Sequence, residues 1–292
     1  GGRTVLQQDF RPAQAIEQMN REGCTWSMGA TPFIYDMLKC IEFEDGPRFE
    51  TLQLFLCGGA PVPGNLVQCA HGHGVMLAEI YGSTESCPHI FVPPAKCLEW
   101  NGAWSGIPFP GIEVRIVDGD RNDVPRGEQG EEISRGPHQF VGYLNAKERT
   151  DRALDDDGWF YSGDLGYMDE EGRIRINGRK KEIIIRGGEN IYPREIEEFL
   201  YQLEGVKDVQ VAGIPSKKYG EAVGAFIIQH EGADLHESDV RDFCIGKISR
   251  YKIPKYIFFV KEFPMTGSGK IQKFKLKDVG LQLCKEQGIE II

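Results

Sequence analysis

The chain lacks several features that would place it in other classes of protein. No apolar run approaches the roughly 20 residues that a membrane-spanning helix needs, and no secretory signal opens the sequence. Its eight cysteines are scattered without a Cys-x-x-Cys pair, which is typical of reduced thiols in the cytoplasm. The short run Cys69-x-His71-x-His73 has no evident fourth ligand for a closed zinc site. A Gly-x-Ser-x-Gly elbow, internal repeats and low-complexity tracts are also missing. These absences predict an ordinary globular protein of the cytoplasm, without a membrane span.

The net charge of −10 is unevenly distributed along a chain whose 292 residues suffice for two domains. Residues 1–178 hold 15 basic and 27 acidic side chains (net −12), whereas residues 179–292 hold 19 and 17 (net +2). Residues 247–277 contain nine Lys or Arg and a single acid, Glu262. Such a run is either a solvated face or part of a domain that approaches polyphosphate. Nucleic acid is disfavoured as a partner because the whole chain is acidic.

Alternating helix and strand patterns predict an α/β region over residues 1–95. Helices are expected at 12–20, 32–40 and 63–71, and strands at 24–30, 52–57 and 75–80. This alternation favours a largely parallel sheet, whose ligands lie beyond the carboxyl ends of the strands. Residues 58–61 and 81–85 fall at such ends.

The pattern changes at residue 96 to short segments rich in Val and Ile, separated by Gly and Asp turns. Residues 96–178 are therefore expected to form a small antiparallel barrel or sheet. After Arg179 the chain reads as a separate α+β module. The predicted organisation is one domain over residues 1–178, followed by a smaller domain over residues 179–292.

The segment Tyr81-Gly82-Ser83-Thr84-Glu85 combines residue types that suit a nucleotide. The Tyr81 ring offers a face to a purine, and Gly82 permits a tight turn. The Thr84 hydroxyl can donate to a phosphate, and Glu85 supplies a hard oxygen ligand for Mg²⁺. An ordinary turn is the alternative, but the position after a buried strand favours the functional interpretation.

Two further segments could contact the same ligand. Residues 58–61 (Gly-Gly-Ala-Pro) carry no large side chain, so their backbone can lie flat against a planar group; a plain strand-to-helix turn is the alternative. Asp164 can accept two hydrogen bonds at once, as the 2′ and 3′ hydroxyls of a ribose would require. An Asp that follows a Gly is, however, commonly a turn residue.

Lys270 follows the small residues Gly267-Ser268-Gly269, which allow the ammonium group to approach a reacting centre. When a carboxylate attacks a phosphorus, two anions meet, and a point cation between them stabilises the transition state. A surface lysine is the alternative interpretation.

In this order, YGSTE, YSGD, the basic turn GRKKE, the loop GGEN and PMTGSGK resemble the adenylate-forming superfamily of acyl-CoA synthetases, luciferases and peptide-synthetase adenylation domains. The resemblance implies a large α/β domain with a small β-barrel, followed by an α+β C-terminal lid domain that rotates between two half-reactions. It also implies ATP, Mg²⁺ and coenzyme A as cofactors.

The resemblance assigns roles to individual residues. The nucleotide site would comprise Gly59, Ala60, Pro61, Glu79, Tyr81, Gly82, Ser83, Thr84, Asp164, Arg179 and Lys270. Catalysis would rest on Lys270, Thr84 and Glu85, with Glu85 also holding Mg²⁺. The hinge would be Lys181, and the loop beside coenzyme A would be Gly187, Gly188 and Glu189. Arg179 could instead form a surface ion pair with Glu182.

The implied function is that of an ATP-dependent acid–CoA ligase. Acetate-specific relatives have a Trp at the position of Gly82, so the glycine implies room for short- to medium-chain aliphatic or alicyclic carboxylic acids. Residues 26–33 are expected to line that pocket. The alternatives are an adenylation domain that loads a carrier protein, and a non-catalytic nucleotide-binding fragment. No Ser/Thr/Gly-rich loop for the β- and γ-phosphates is present, so the chain is expected to be the C-terminal portion of the enzyme, with little turnover by itself. A homo-oligomer remains open.

Overall fold

The computed structural model describes residues 2–59, 62–265 and 271–291. The chain divides into two compact units, residues 1–176 and residues 177–292. The boundary expected after residue 178 lies two residues beyond this division.

The first unit contains a five-stranded sheet that begins parallel and ends antiparallel. Its strands are β1 (Trp26–Gly29), β2 (Leu54–Gly58), β3 (Met76–Ser83), β4 (Cys87–Phe91) and β5 (Ile107–Pro108), in that spatial order. The pairs β1–β2 and β2–β3 are parallel, and β3–β4 and β4–β5 are antiparallel. The predicted parallel sheet is confirmed for its first three strands.

Helices cover this sheet. They are α1 (Pro12–Glu22), α2 (Thr31–Phe43), α3 (Gly64–Gly72) and the short α4 (Cys97–Trp100). Proline stands in the first turn of α1 and of α2, where a missing N–H costs nothing. Ile34 of α2 packs in one buried cluster with Phe55 of β2 and Leu77 of β3. The three predicted helices are confirmed, with slightly shifted bounds.

A second, four-stranded sheet follows in the β-rich region. Its strands are β6 (Glu113–Val117), β7 (Gly130–Arg135), β8 (Phe160–Met168) and β9 (Ile174–Arg179), in that order, with α5 (Lys147–Ala153) before β8. Strand β7 pairs antiparallel with both β6 and β8. The pairing of β7 with β8 shifts register between Glu131 and Ile133. Such a bulge re-aims the side chains beside it.

The second unit is one sheet between helices. Its elements are β10 (Ile184–Arg186), β11 (Glu189–Ile191), α6 (Pro193–Leu200), β12 (Val206–Ser216), β13 (Gly220–Gln229), α7 (Glu237–Cys244), β14 (Tyr256–Phe259) and α8 (Leu276–Glu286). The strand order is β11-β10-β13-β12, with β14 parallel to β13. Ile227 of β13 packs with α6 and α7, whereas its neighbour Phe226 packs with α8. This alternation follows from the period of two along a strand.

Within the described part of the chain, no helix is both long enough and apolar enough to cross a membrane.

Candidate nucleotide-binding site

The expected loop at residues 81–85 is the tip of a β-hairpin. Strand β3 continues through Ser83, and β4 begins at Cys87 after a three-residue turn. The expected end of the strand at residue 80 was therefore wrong. The two strands approach closely at Gly82: a Cβ there would overlap the Cys87 carbonyl and lie 2.6 Å from the Cα of Pro88.

The close approach at Gly82 also bears on the expected acyl pocket. A large side chain at this position would displace the backbone of β4 before it filled any pocket. A Gly82→Trp substitution is thus a poor test of substrate size in this chain.

Tyr81 and Asp164 meet at the bulge of the second sheet. The Tyr81 hydroxyl donates to Asp164 Oδ2 at 2.8 Å. Gly163 has a φ of +74°, and its N–H donates to Glu131 Oε1 at 3.0 Å. The backbone N–H of Asp164 donates to the Ser162 hydroxyl at 3.0 Å. The structure therefore brings together the residue predicted to face the purine and the residue predicted to face the ribose, and the local backbone fixes the second of them.

Behind these two residues lies a buried polar cluster that the sequence analysis missed. Glu132 Oε2 is 3.3 Å from the Tyr81 hydroxyl, and Glu132 Oε1 is 3.0 Å from His89 Nε2. His89 Nδ1 lies 3.2 Å from the Ser86 hydroxyl, which is 3.1 Å from the Ser83 hydroxyl. His89, Glu132 and Ser86 are each 0% exposed. The only signal in the sequence was a His in the mostly apolar β4 and a Glu in the short β7.

The pKa values of this cluster follow from burial and mutual charge. Burial, and then the negative charges of Glu132 and Asp164, raise the pKa of Tyr81 well above its usual range, so the phenol stays neutral. Burial lowers the pKa of His89, but the hydrogen bond and charge of Glu132, the Cys87 carbonyl and the charge of Asp164 outweigh it. The pKa of His89 therefore lies above its ordinary value.

Glu85 is held as an ionised carboxylate. The Tyr143 hydroxyl donates to Glu85 Oε1 at 2.7 Å. This hydrogen bond is the largest cause of a lowered pKa; burial opposes it, while further hydrogen bonds and the charge of Arg149 add to it. Thr84, next to it, is exposed. An ionised carboxylate beside an exposed hydroxyl suits a Mg²⁺ ion that keeps most of its ligands from water and phosphate.

Gly59 follows β2 with a φ of +85°, and a Cβ there would meet nothing within 4 Å. Its neighbours Ala60 and Pro61, predicted to form the same wall of the site, lie outside the described residues. Glu79 of β3 is buried, and its carboxylate accepts the N–H of Val62 at 3.3 Å. This hydrogen bond joins β3 to Val62, the residue that follows the Gly-Gly-Ala-Pro sequence of residues 58–61.

The described residues of the second unit that were predicted to form the site are exposed and lie in turns or at strand ends. Arg179 is the last residue of β9, and Lys181 stands in a short 3₁₀ turn. Gly187 and Gly188 form the two-residue turn between β10 and β11, with φ values of +62° and +91°. Positive φ at both positions is what a type I′ hairpin turn requires, so the turn alone explains both glycines. Glu189 follows as an exposed residue of β11.

Lys270 lies outside the described residues, as do the small residues before it. The described chain on either side of this segment is closely joined. Met265 and Ile271 form an antiparallel bridge, and the Gln272 N–H donates to the Pro264 carbonyl at 2.7 Å. Lys273 pairs with the buried Glu197, with N–O distances of 2.8 and 2.9 Å.

One group of potential metal ligands lies apart from this site. Glu42 Oε1 is 2.8 Å from His73 Nε2, and Cys69 is close to both, whereas His71 is not part of the group. Burial, and then the charge of Glu42, raises the pKa of the Cys69 thiol. The three side chains form a cluster between α2 and α3 that includes the hydrogen bond of His73 to Glu42.

Residues 1–144 match the family model for the AMP-binding enzyme, and residues 195–270 match the model for the AMP-binding enzyme C-terminal domain. The chain is 40% identical over 295 residues to the medium-chain fatty-acid–CoA ligase of Escherichia coli (strain K12), covering 100% of this chain and 52% of that protein. It is 36% identical over 278 residues to the mitochondrial medium-chain acyl-CoA ligase ACSF2 of Homo sapiens, covering 92% and 44%. The chain thus spans about half the length of the curated relatives it matches.

Two solved structures also match most of this chain. The amide bond synthetase McbA from Marinactinospora thermotolerans matches with a TM-score of 0.86 at 29% identity, covering 94% of this chain and 57% of that chain. ATP-bound MatB from Rhodopseudomonas palustris matches with a TM-score of 0.83 at 32% identity, covering 94% and 54%.

Proposed function

The chain belongs to the AMP-binding enzyme family, and on that basis we propose that it carries the nucleotide-binding part of an AMP-forming acid–CoA ligase. In the first step a carboxylate oxygen attacks the α-phosphorus of ATP, and the bond to the β-phosphate breaks to release pyrophosphate. In the second step the thiol of coenzyme A attacks the acyl carbonyl, and AMP departs with the C–O electron pair. The proton of the thiol is lost to solvent.

The observation that carries this proposal is the contact between Tyr81 and Asp164. In the proposed complex the ribose hydroxyls donate to Asp164. The purine lies against the Tyr81 ring and the backbone at Gly59. Asp164 is held by the bulge at Gly163 and by Tyr81 before any ligand arrives. Preorganised acceptors lose little entropy when the ligand binds.

Glu85 is the proposed Mg²⁺ ligand, since its carboxylate stays ionised beside Tyr143. When bound there, Mg²⁺ would offset negative charge on the triphosphate. Thr84 would donate its exposed hydroxyl to a phosphate oxygen. Lys270 would supply the cation between carboxylate and phosphate, and Arg179 would hold the ribose or phosphate. Lys181 would be the hinge, and Gly188 would border the thiol.

The proposed substrate is a medium-chain aliphatic acid. Support comes from the E. coli and human relatives, both of which are medium-chain ligases by name. The similarity to an amide bond synthetase favours a second candidate, in which an amine replaces coenzyme A as acceptor of the same acyl-AMP. Both candidates share the first step and differ in the second.

The test uses this chain completed by the part of the E. coli relative that it does not match (hereafter the completed protein). Pyrophosphate exchange with acetate, hexanoate and octanoate reports the first step. Because each buried methylene contributes about 0.8 kcal/mol, we expect octanoate to exceed acetate by at least about tenfold in kcat/KM. Coenzyme A, a pantetheinylated carrier protein and a simple amine are then compared as acceptors.

Each outcome decides between the candidates. Faster release of AMP with coenzyme A supports the ligase. A preference for the carrier protein or the amine would replace it with the corresponding acyl transferase. Tight calorimetric binding of a sulfamoyl mimic of acyl-AMP, without exchange for any acid, would leave only a nucleotide-binding function.

A further inference from the structure

A buried pair of ionisable side chains links two ends of the proposed nucleotide site. His89 and Glu132 are each 0% exposed and lie on different sheets, β4 and β7. From Glu132 the hydrogen bonds lead through Tyr81 to Asp164, which would face the ribose. From His89 they lead through Ser86 to Ser83, which would lie near the phosphates. Buried charge of this kind is costly unless it is paired, so its position beside a binding site calls for a reason.

The contacts of His89 indicate where its protons lie. Its Nδ1 is 3.0 Å from the Cys87 carbonyl oxygen, which can only accept, and 3.2 Å from the Ser86 hydroxyl, which can also accept; the carbonyl contact favours a hydrogen on Nδ1. The remaining proton lies between Nε2 and Glu132 Oε1, 3.0 Å apart. With its proton on Nε2, His89 is a cation that faces a carboxylate. The pair then carries no net charge.

Tyr81 has one hydroxyl hydrogen and two carboxylate neighbours. Asp164 Oδ2 is at 2.8 Å and Glu132 Oε2 at 3.3 Å, so the shorter contact takes the hydrogen. Two anions around one half-buried hydroxyl repel each other. The imidazolium of His89 neutralises Glu132, and Asp164 can then remain ionised with Tyr81 as its donor.

We propose that His89 and Glu132 are positioning residues that act through Tyr81 to keep Asp164 ionised and correctly aimed at the ribose hydroxyls. This inference rests on the proposed function, because it takes Asp164 as the ribose ligand. Neither residue of the pair touches the nucleotide itself.

The groups that face His89 also give the proposal a pH dependence. They are Glu132 on β7, His138 in the following loop with its ring centroid 5.0 Å away, Tyr81 on β3 and Asp164 on β8. The pKa of His89 is raised and that of His138 is lowered, mainly by burial and then by the charge of His89. Of the two histidines, His89 is therefore the one whose surroundings favour the protonated form. Above its pKa the pair becomes anionic, and recognition of the ribose should weaken.

The experiment measures recognition of the ribose hydroxyls directly. Calorimetry on the completed protein gives the dissociation constants of AMP and of 2′,3′-dideoxy-AMP, and their ratio is the ribose discrimination. For charge-assisted hydrogen bonds we expect a wild-type ratio of about tenfold to a hundredfold. Asp164→Asn should abolish most of it.

The variants of the pair separate positioning from stability. His89→Leu and Glu132→Leu should each reduce the discrimination at least about fivefold, and Glu132→Gln, which keeps the hydrogen-bond geometry, should retain more of it. The double variant His89→Leu/Glu132→Leu removes both buried polar groups, so its thermal stability should recover relative to the single variants. Its discrimination should stay reduced and should no longer fall as the pH rises.

Several results would contradict the inference. A double variant that regains both stability and wild-type discrimination would make the pair purely structural. So would single variants that lose stability but keep the ratio. If Asp164→Asn keeps the discrimination, or wild-type protein binds no AMP, the proposed function fails first and this inference fails with it.

Discussion

Both units of the chain bury a charged pair, but the two pairs have different surroundings. In the first unit His89 and Glu132 are fully enclosed and belong to a run of hydrogen bonds that reaches Tyr81 and Asp164. In the second unit Glu197 is buried, while its partner Lys273 keeps 22% of its side chain exposed. That pair joins α6 to the chain just after the segment of Lys270.

The contrast separates two ways of building a site. In the first unit Tyr81 and Asp164, both proposed to bind nucleotide, are themselves joined by hydrogen bonds to the buried pair, so binding and folding are coupled there. In the second unit the described residues that are proposed to act are exposed and lie in turns or at strand ends, and the buried pair only joins α6 to the chain after residue 270. Substitutions at those turns should change reaction steps and leave folding almost intact.

The largest expected effect tests this contrast at Lys270. Lys270→Ala in the completed protein should slow acyl-AMP formation by about 10²–10³-fold, because the transition state loses the cation proposed to stabilise it. The melting temperature should stay near wild type. Rapid-quench measurement of acyl-AMP gives the rate, and Lys261→Ala, an exposed lysine of the same basic run, is the control. Equal rates for both variants would remove Lys270 from the mechanism.

The next largest effect is expected at Lys273, which pairs with the buried Glu197. Lys273→Met leaves the Glu197 carboxylate buried without its cation, which should destabilise the second unit by about 3 kcal/mol. Lys252→Met breaks a comparable ion pair with Glu195, whose side chain is 50% exposed, and should cost less than about 1 kcal/mol. Hydrogen exchange of the amides in residues 177–292 of the full chain measures both. Similar losses of stability in the two variants would mean that burial of the Glu197 carboxylate does not increase the cost of removing its partner.

Much of this organisation could be predicted from local sequence. The α/β alternation, the change to β structure near residue 96 and the first three parallel strands follow from periodicity and turn residues. The contact between Tyr81 and Asp164 could not, because it joins residues 83 positions apart through the packing of two sheets. The network of His89 and Glu132 was missed for the same reason.

Local causes matter as well. The hairpin of β3 and β4 was read as a loop because Gly82 was taken as a turn residue, whereas its missing Cβ allows the close approach of a neighbouring strand. The role of Gly187 and Gly188 beside coenzyme A stays a prediction, and the two-residue hairpin turn is a second reason for both glycines. In both cases glycine has several structural uses, and tertiary packing decides between them.

A smaller effect is expected at Tyr143, which lies in the first unit. Tyr143→Phe removes the hydrogen bond that most lowers the pKa of Glu85, so this pKa should move back up toward its ordinary value. As the pH falls, the variant should therefore lose Mg²⁺-dependent exchange activity at a higher pH than wild type. The pH profile of exchange at limiting Mg²⁺ measures the shift. Tyr161→Phe, which loses a hydrogen bond to Asp155 instead, should leave the acidic limb in place.

The smallest effect is expected from the addition of a single methyl group, by alanine at Gly188 or at Gly172. Gly188 and Gly172 both have positive φ values, +91° and +78°, and a Cβ at either would meet nothing within 4 Å. Alanine should therefore cost about 1 kcal/mol of stability at each position, from backbone strain alone. If the Gly188 turn approaches the thiol, only Gly188→Ala should slow acyl transfer to coenzyme A, by about threefold to tenfold, with acyl-AMP formation unchanged. Equal transfer rates in the two variants would show that the Gly187-Gly188 pair serves its hairpin and nothing else.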